Sequence, residues 1–92
     1  MVKVFETEKF KRLRKKIKEK FESESLKQAV GEVSKNILHG KKLNGEFRDL
    51  RSFRYFVRGQ SRRLIYRATG ETLVLYSFGP REGIYKHLNP EH

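Results

Sequence analysis

Apolar residues recur with a helical period in the first half of the sequence and with a strand period after Gly45. Phe10, Leu13, Ile17 and Phe21 follow one another at spacings of three, four and four residues, which predicts a single helix with one apolar stripe. In the second half, apolar and charged residues alternate, which is typical of strands with one buried face. The change of period predicts an α+β fold, in which helices pack on a sheet.

A second helix is predicted between Ser25 and Gly40. Ser25 and Gln28 have the spacing of a capping box, and glycine, here Gly40, often follows the last helical turn. The short stretch Glu22–Glu24 then links the two helices as an antiparallel hairpin. The apolar stripe of this second helix consists of Leu26, Ala29, Val30, Val33 and Ile37.

Turn signals divide the second half of the chain into strands. Gly59-Gln60 and Thr69-Gly70 are predicted to be two-residue hairpin turns, and Gly79-Pro80 ends the last strand. Residues 2–5 are apolar enough for a short opening strand. We therefore expect one domain over residues 1–92, with a two-helix hairpin on one face of an antiparallel sheet of three or four strands.

Strand alternation assigns the arginines of the second half to one face of this sheet. With the predicted turns, Arg63 pairs with Phe56 and Tyr76, and Ile65 pairs with Arg54. The helix side then holds the core residues Leu64, Tyr66, Leu73 and Leu75. The helix-free face holds Arg54, Phe56, Arg58, Arg63, Arg67, Tyr76 and Phe78. Such a face suits single-stranded nucleic acid, and the alternative is a minor second core with arginines around it.

The charge balance predicts a polyanionic partner. The chain has 22 Lys and Arg against 11 Asp and Glu, a net charge of +11, which nucleic acid, an anionic membrane or an acidic protein segment would complement. Eight cations lie between residues 9 and 20, as a solvated helix face or as a landing surface for nucleic acid. We expect no membrane partner, because the apolar stripe of that helix is needed to cover the sheet.

With no cysteine and no apolar run longer than Leu73–Tyr76, we expect a cytoplasmic protein without disulfides or thiolate chemistry.

Three short motifs, taken in order, resemble the RelE/ParE toxin superfamily. They are Lys42-Leu43-Asn44-Gly45, Arg63-Leu64-Ile65-Tyr66, and an ending in which Arg81 and Tyr85 are four residues apart. Their order after two helices matches the family over nearly the whole chain. The resemblance implies a toxin of a type II toxin–antitoxin system. RelE-like members are metal-independent, ribosome-dependent mRNA endoribonucleases, and they leave 2′,3′-cyclic phosphate and 5′-hydroxyl ends.

The resemblance also implies a catalytic set of Arg54, Arg63, Arg81 and Tyr85. Arg63 and Arg81 match the arginines that bind the phosphate and the leaving group, and Tyr85 matches the tyrosine that orients or stacks on the nucleotide. Arg54 and Phe56 stand where the better-known nucleases have two lysines, and arginine is a poor general base. The other groups suited to proton transfer are His87 and the loop carboxylates Glu46 and Asp49.

The same resemblance implies the partners, whereas the remaining contact residues are predicted from the helix-free face and from the basic residues outside its strands. We expect an acidic antitoxin, the ribosome and mRNA as partners, with no cofactor and no metal site. The predicted RNA-binding residues are Lys41, Lys42, Arg48, Arg51, Phe56, Arg58, Arg67 and Tyr76. Two other functions remain open at this point: a ParE-like inhibitor of DNA gyrase, and a basic module that binds RNA without cleaving it.

Overall fold

Two helices lie on one face of a five-stranded sheet in the computed structural model, which describes residues 2–80. The strand order is β1-β5-β4-β3-β2, with β1 parallel to β5 and every other pair antiparallel. Helix α1 packs mainly against β5 and helix α2 against β3. The elements are β1 Lys3–Glu6, α1 Glu8–Lys15, α2 Lys20–Lys35, β2 Lys41–Lys42, a 3₁₀ turn Gly45–Phe47, β3 Arg51–Val57, β4 Gln60–Thr69 and β5 Thr72–Gly79.

This architecture confirms the predicted α+β class and corrects the sheet. The sheet has five strands instead of three or four, and it is mixed because β1 runs parallel to β5. Strand β2 is only two residues long, so it carries no alternation that the sequence could reveal. The predicted opening strand is present as β1.

The boundaries of both helices differ from the prediction. Helix α1 stops at Lys15, and α2 already begins at Lys20, where the Glu19 carboxylate accepts a hydrogen bond from the Phe21 amide at 3.2 Å. Phe21 therefore belongs to α2, and Ser25 lies inside that helix rather than at its start. A cluster of like charges around residues 14–18 disfavours one continuous helix, while Glu19 supplies a cap that the apolar spacing alone does not show.

Gly40 does not end the second helix, which stops at Lys35. Its amide donates a hydrogen bond of 2.7 Å to the Tyr66 hydroxyl in the interior. A β-carbon at this position would lie 2.7 Å from that hydroxyl oxygen and 2.8 Å from the Tyr66 ring. Glycine is therefore required here by the close approach of the tyrosine, not by a helix terminus.

The core lies between the helices and the sheet. The four core residues predicted on the strands are confirmed, since Leu64, Tyr66, Leu73 and Leu75 are all buried there. They pack with buried side chains from both helices, from β3 and from the end of β5, namely Phe10, Leu26, Ala29, Val33, Tyr55, Val57 and Phe78.

The hairpin turns lie one residue away from the predicted positions. Val57 pairs with Gln60 and Thr69 pairs with Thr72, so the turns are Arg58-Gly59 and Gly70-Glu71. For each pair of facing residues, the sum of the two residue numbers therefore differs by two from the predicted one. Because side chains alternate with a period of two, residues within the strands and outside the bulge of β5 keep their predicted faces. The predicted partners are wrong, however, since Arg63 lies opposite Arg54 and not opposite Phe56.

A β-bulge reverses the face of the last residues of β5. The register between β4 and β5 shifts between Ile65 and Tyr66, so that Leu64 lies opposite Phe78. The extra residue turns Phe78 to the helix side, where its ring meets the Phe10 ring edge-on at 5.1 Å between centroids. The prediction that Phe78 lies on the helix-free face is therefore wrong.

Candidate nucleic-acid interface

Arg54 and Arg63 form the centre of the helix-free face. They are directly opposite on β3 and β4, and on the other side Arg63 lies opposite Gly79 of β5. The closing pair of a two-residue hairpin is hydrogen-bonded, and by alternation the Arg54–Arg63 pair is a non-hydrogen-bonded one, with α-carbons about 4.5 Å apart. The side chains that carry these two guanidinium groups thus leave the backbone at neighbouring positions on one face of the sheet.

The two arginines differ in exposure. Arg54 is exposed, whereas Arg63 is half-buried. The Nε of Arg63 is fully buried and has no hydrogen-bond partner among residues 2–80. Buried polar groups nearly always have a hydrogen-bond partner in folded proteins. An unpaired buried donor on a positively charged face is therefore a candidate functional position.

A small second core covers part of the same face. Leu50, Ile65 and Tyr76 are buried there, and the chain that follows β2 covers them with Leu43 and Phe47. Tyr76 is only 7% exposed, which leaves little of its ring for a base to stack on. The second-core interpretation therefore describes Tyr76, whereas Phe56 at 55% exposure stays open to solvent, as the nucleic-acid interpretation expects.

Four of the predicted RNA-binding cations surround one pocket of about 390 Å³. Its lining includes Lys42, Arg48, Arg51 and Arg67, and within residues 2–80 Asp49 is the one acidic residue that lines it. Arg51 also has a structural task, because its Nη1 donates hydrogen bonds to the carbonyl oxygens of Gly40 at 2.8 Å and Leu38 at 3.3 Å. Such a concentration of cations is suited to an anion such as a phosphate group.

Lys41 and Arg58 lie apart from this pocket. Lys41 is exposed on β2, opposite Ser52. Arg58 is not on the helix-free face, contrary to the prediction: its guanidinium lies 4.5 Å from the centre of the Phe21 ring and 3.6 Å from the Glu19 carboxylate. The cause is its place in the turn, where its φ of 51° takes it out of the strand alternation.

Several residues singled out from the sequence lie outside the described part of the chain. Arg81, Tyr85 and His87 are all among residues 81–92. The loop carboxylates Glu46 and Asp49 are exposed. The sequence did not reveal the position of Gly79 opposite Arg63, since that pairing depends on the bulge in β5.

Helix α1 carries the other concentration of positive charge. A two-pronged ion pair joins Arg14 to Glu6, with hydrogen bonds of 2.8 and 3.0 Å, and it lowers the pKa of the Glu6 carboxyl. Burial, together with the neighbouring Arg12, lowers the pKa of Lys9. The helix layer thus presents a second basic surface on the opposite side of the sheet from Arg54.

The described residues show neither a metal centre nor a membrane span. No three His, Asp or Glu side chains within residues 2–80 are grouped so that they could hold a metal ion. Over the same range, neither helix is long and apolar enough to cross a membrane.

Comparison with known proteins agrees with this architecture. Residues 4–89 match a family model described as ParE-like toxin of type II bacterial toxin-antitoxin system. No curated protein matches the chain.

Solved structures of bacterial toxins share the fold. A chain of the intact E. coli RelBE toxin–antitoxin complex is similar with a TM-score of 0.68 and 23% identity, over 87% of this chain and 96% of that one. The isolated E. coli RelE toxin has the same TM-score at 22% identity, over 94% and 93% of the two chains. YafQ from E. coli follows with a TM-score of 0.65 and 16% identity, over 92% and 99%. At these identities the likeness is one of fold.

Proposed function

Because the chain belongs to the ParE-like toxins of type II bacterial toxin–antitoxin systems, we propose that it is a ribosome-dependent mRNA endonuclease that an acidic antitoxin holds inactive. Its proposed chemistry needs no metal and leaves a 2′,3′-cyclic phosphate and a 5′-hydroxyl. The helix-free face is the proposed RNA-binding surface, with Arg54 and Arg63 at its centre.

The observation that carries this proposal is the pairing of Arg54 with Arg63. Like charges directly opposite on neighbouring strands destabilise a sheet, so this pair opposes folding in the free protein. A phosphate between the two guanidinium groups would turn that repulsion into attraction. The Nε of Arg63 supports the same interpretation. Its burial limits the directions in which the guanidinium can point, and its lack of a protein partner leaves this cationic group without a charge-assisted hydrogen bond at that atom.

The proposed reaction is an in-line displacement at phosphorus. The substrate 2′-oxygen attacks the adjacent phosphate and loses its proton, the new P–O bond closes the cyclic phosphate, and the bond to the 5′-oxygen breaks as that oxygen gains a proton. Negative charge accumulates on the phosphorane oxygens during the step. Fixed cations aimed at that charge lower the barrier by several kcal/mol when water is partly excluded. Arg54 and Arg63 fill this role in the proposal.

Proton transfer is assigned to His87 and the loop carboxylates Glu46 and Asp49 and not to any arginine, because a guanidinium does not lose its proton near neutral pH. Arg81, proposed to stabilise the negative charge on the leaving 5′-oxygen, follows Gly79 by two residues in the sequence. Since Gly79 lies opposite Arg63, the chain toward Arg81 and Tyr85 starts beside the proposed phosphate site. The carboxylate of Asp49 lines the basic pocket and thus lies beside the proposed RNA-binding surface.

The basic pocket fits a further phosphate of the same RNA strand. Arg63 and Arg67 lie four residues apart on β4, a separation of about 13 Å along a strand. Arg67 therefore extends the positive surface from the central pair toward Lys42 and Arg48. Phe56, exposed beside Arg54, offers a ring on which a base can stack.

A second candidate function is inhibition of DNA gyrase in the manner of ParE-like members. The description of the matching family model favours it, and so does Phe56 at a position where the resemblance to RelE nucleases expects a lysine. A toxin of that type needs neither the Arg54–Arg63 pair nor Arg81 for chemistry.

One experiment separates these functions. The full chain and the variants Arg63→Ala and Arg81→Ala are expressed in a translating bacterial extract, and message ends are mapped by primer extension. We expect in-frame cuts with 5′-hydroxyl ends for the unaltered chain and their loss in both variants. Intact message with accumulating gyrase-cleaved DNA would establish the gyrase function instead, and RNA binding without any product would leave only a binding module.

Arg62→Ala is the matched control. Arg62 is next to Arg63 on β4 but on the other face of the sheet, opposite Tyr55, with its Nη2 donating to the Gln60 side chain at 3.3 Å. We expect its cleavage pattern to equal that of the unaltered chain. Equal loss in Arg62→Ala and Arg63→Ala would point to general charge and not to the phosphate site.

A further inference from the structure

Asp49 places a carboxylate in a pocket whose other charged residues, within residues 2–80, are all cations. It lines the basic pocket of about 390 Å³ together with Lys42, Arg48, Arg51 and Arg67. In the same part of the chain its carboxylate forms no ion pair and no hydrogen bond, so these cations do not neutralise it by direct contact. This negative charge would weaken a site for a phosphate alone, because like charges repel. The free carboxylate therefore indicates a ligand that brings hydrogen-bond donors as well as a phosphate.

The end of β4 adds backbone groups to the same pocket. Strand β3 begins at Arg51, which pairs with Tyr66, so within residues 2–80 no strand lies beside residues 67–69 on that side. By the alternation of the ladder, the amide and carbonyl groups of Ala68 point toward this open side. Ala68 also lines the pocket. A backbone donor and a backbone acceptor thus lie in the same pocket as the Asp49 carboxylate.

The basic pocket is large enough for one whole nucleotide, since pockets for small ligands start at about 300 Å³. Its lysine and arginines can hold the phosphate, which leaves Asp49 and Ala68 for the base. The groove between β3 and α2, with a volume of about 710 Å³, does not offer this division. Its charged residues among residues 2–80 are Lys35, Arg54 and Glu32, so its positive charge is smaller.

The hydrogen-bonding groups of the pocket specify the base. A carboxylate only accepts hydrogen bonds, and it can accept two side by side. Guanine is the standard RNA base with two adjacent donors, the N1–H and the 2-amino group. Adenine and cytosine have an acceptor beside their amino group, and uracil has a single N–H donor between two acceptors. The Ala68 amide can donate to the guanine O6, which is next to the N1–H.

On this basis we propose that the basic pocket binds a guanine nucleotide of the single-stranded RNA, with the Asp49 carboxylate accepting from the N1–H and the 2-amino group. This inference rests on the proposed function, because it names the base that the same RNA-binding surface selects. Arg67 lies about 13 Å from Arg63 along β4, which is farther than neighbouring phosphates of one strand are apart, so the guanine flanks the cleaved nucleotide pair. This role leaves Glu46 and His87 for the proton transfer of the proposed reaction.

The test measures binding of the full chain to single-stranded RNAs of about eight uridines, in which one central uridine is replaced by guanosine, adenosine, cytidine or inosine. Fluorescence anisotropy at one fixed low salt concentration gives the dissociation constants. We expect the guanosine strand to bind at least about tenfold more tightly than the adenosine, cytidine and all-uridine strands. It should also bind more tightly than the inosine strand, which lacks only the 2-amino group. Equal affinity for the guanosine and inosine strands, or for all strands, would overturn the proposal.

Asp49→Asn tests the carboxylate. An amide side chain cannot accept two hydrogen bonds side by side, so the preference for guanosine should fall to about twofold or less. The same variant should bind the all-uridine strand at least as tightly as the unaltered chain, because a negative charge is removed from the RNA-binding surface. That second measurement also shows that the variant is folded. A full guanosine preference in Asp49→Asn would contradict the proposed contact.

Glu71→Gln is the matched control. Glu71 lies in the turn that follows β4, and it is not among the residues 2–80 that line the pocket. This variant should keep the guanosine preference of the unaltered chain. Equal loss in Glu71→Gln and Asp49→Asn would attribute the preference to net charge and overturn the proposal.

The Ala68 amide gives a second readout. Its NMR signal should shift when the guanosine strand is added and stay in place with the all-uridine strand, because only guanine presents O6 next to two donors. An Ala68 signal that responds equally to both strands would contradict base recognition in this pocket.

Two further outcomes separate the ligand from the reaction. If free GMP competes as well as the guanosine strand, the ligand is a free nucleotide, and the assignment to RNA is overturned. The binding assay needs neither ribosomes nor cleavage, so a guanosine preference without any mRNA cuts would reject the proposed nuclease alone. Conversely, mRNA cuts without a guanosine preference would reject only the guanine pocket.

Discussion

Arg54 and Arg63 are Cα partners across β3 and β4, at a position where opposing side chains are closest. Two arginines at this position repel each other in the free protein, and no residue of the hairpin separates them. The arrangement is unfavourable for folding and favourable for holding a phosphate. Stability and activity are therefore expected to respond in opposite directions when one of the two charges is removed.

The first prediction concerns this trade-off. Arg54→Gln should raise the free energy of unfolding by a few tenths up to about 1 kcal/mol, because it removes a like-charge cross-strand pair. The same variant should lower the rate of mRNA cleavage by about 100-fold, since one cation at the phosphorane is lost. Urea unfolding and primer extension measure the two quantities on the same preparation.

Arg67→Gln is the control for the stability change. Arg67 lies on the same face, but its partner across the sheet is Val74, so the variant removes no directly opposed pair of like charges, only the repulsion with the other cations of the basic pocket. The gain for Arg54→Gln should also shrink at high salt, where the repulsion between exposed charges is screened. A gain of equal size in both variants would show that net charge, and not the Arg54–Arg63 pair, sets the stability.

The second prediction separates the cations of the helix-free face from Arg58. Arg67→Ala should reduce the slope of log affinity against log salt concentration for single-stranded RNA by about 0.7, the value for one phosphate contact. Arg58→Ala should leave that slope unchanged, because Arg58 contacts Glu19 and Phe21 on the helix side. Filter binding over a range of salt concentrations gives both slopes. A reduced slope for Arg58→Ala would place RNA on the helix side.

The contrast between Arg58 and Arg67 shows how far strand alternation reaches. The period of two assigned Arg54, Arg63 and Arg67 to the correct face even though the pairing was shifted, since an even shift preserves faces. It failed for Arg58 and Phe78. Arg58 sits in a turn with positive φ, and Phe78 follows a bulge that adds one residue to β5. Turns and bulges break the alternation, and neither leaves a signal in the apolar pattern.

For the helices too, the apolar period predicts that the elements exist but not where they begin and end. The apolar period predicted two helices, but their boundaries depend on local capping by Glu19 and on repulsion within a lysine-rich stretch. Strand β2 was not predictable, because a two-residue strand has no period. The groove between β3 and α2 was not predictable either, because its position depends on which strands pair over long distances in the sequence. Local patterns thus define the faces, while long-range pairing defines the edges.

The third prediction compares two glycines of contrasting surroundings. Gly40→Ala should lower the free energy of unfolding by about 1–3 kcal/mol, because its β-carbon would lie within 3 Å of the Tyr66 ring and hydroxyl. Gly31→Ala should raise it by about 0.5–1 kcal/mol, since open space surrounds that helical position. Thermal unfolding measures both changes. Equal effects would contradict the close packing of Gly40 on Tyr66.

The fourth prediction compares two buried tyrosines. Tyr66→Phe should cost about 1–2 kcal/mol at pH 7, because the buried Gly40 amide loses its acceptor. Tyr55→Phe should cost nothing or stabilise the protein, since the buried Tyr55 hydroxyl has no hydrogen-bond partner within residues 2–80. Urea unfolding at pH 7 measures both, and a loss above about 1 kcal/mol for Tyr55→Phe would contradict the unpaired hydroxyl.

Tyr55→Phe is also expected to change how stability depends on alkaline pH. Burial raises the pKa of Tyr55 above its usual value near 10, so the unfolded chain releases this proton at lower pH than the folded one. The associated stability is complete below pH 10 and is lost as the pH rises toward the folded-state pKa. Tyr55→Phe should therefore make the loss of stability above pH 10 shallower than in the unaltered chain. Urea unfolding between pH 9 and pH 11 measures the slope, and an identical slope in both proteins would show that Tyr55 ionises equally easily in the folded and unfolded states.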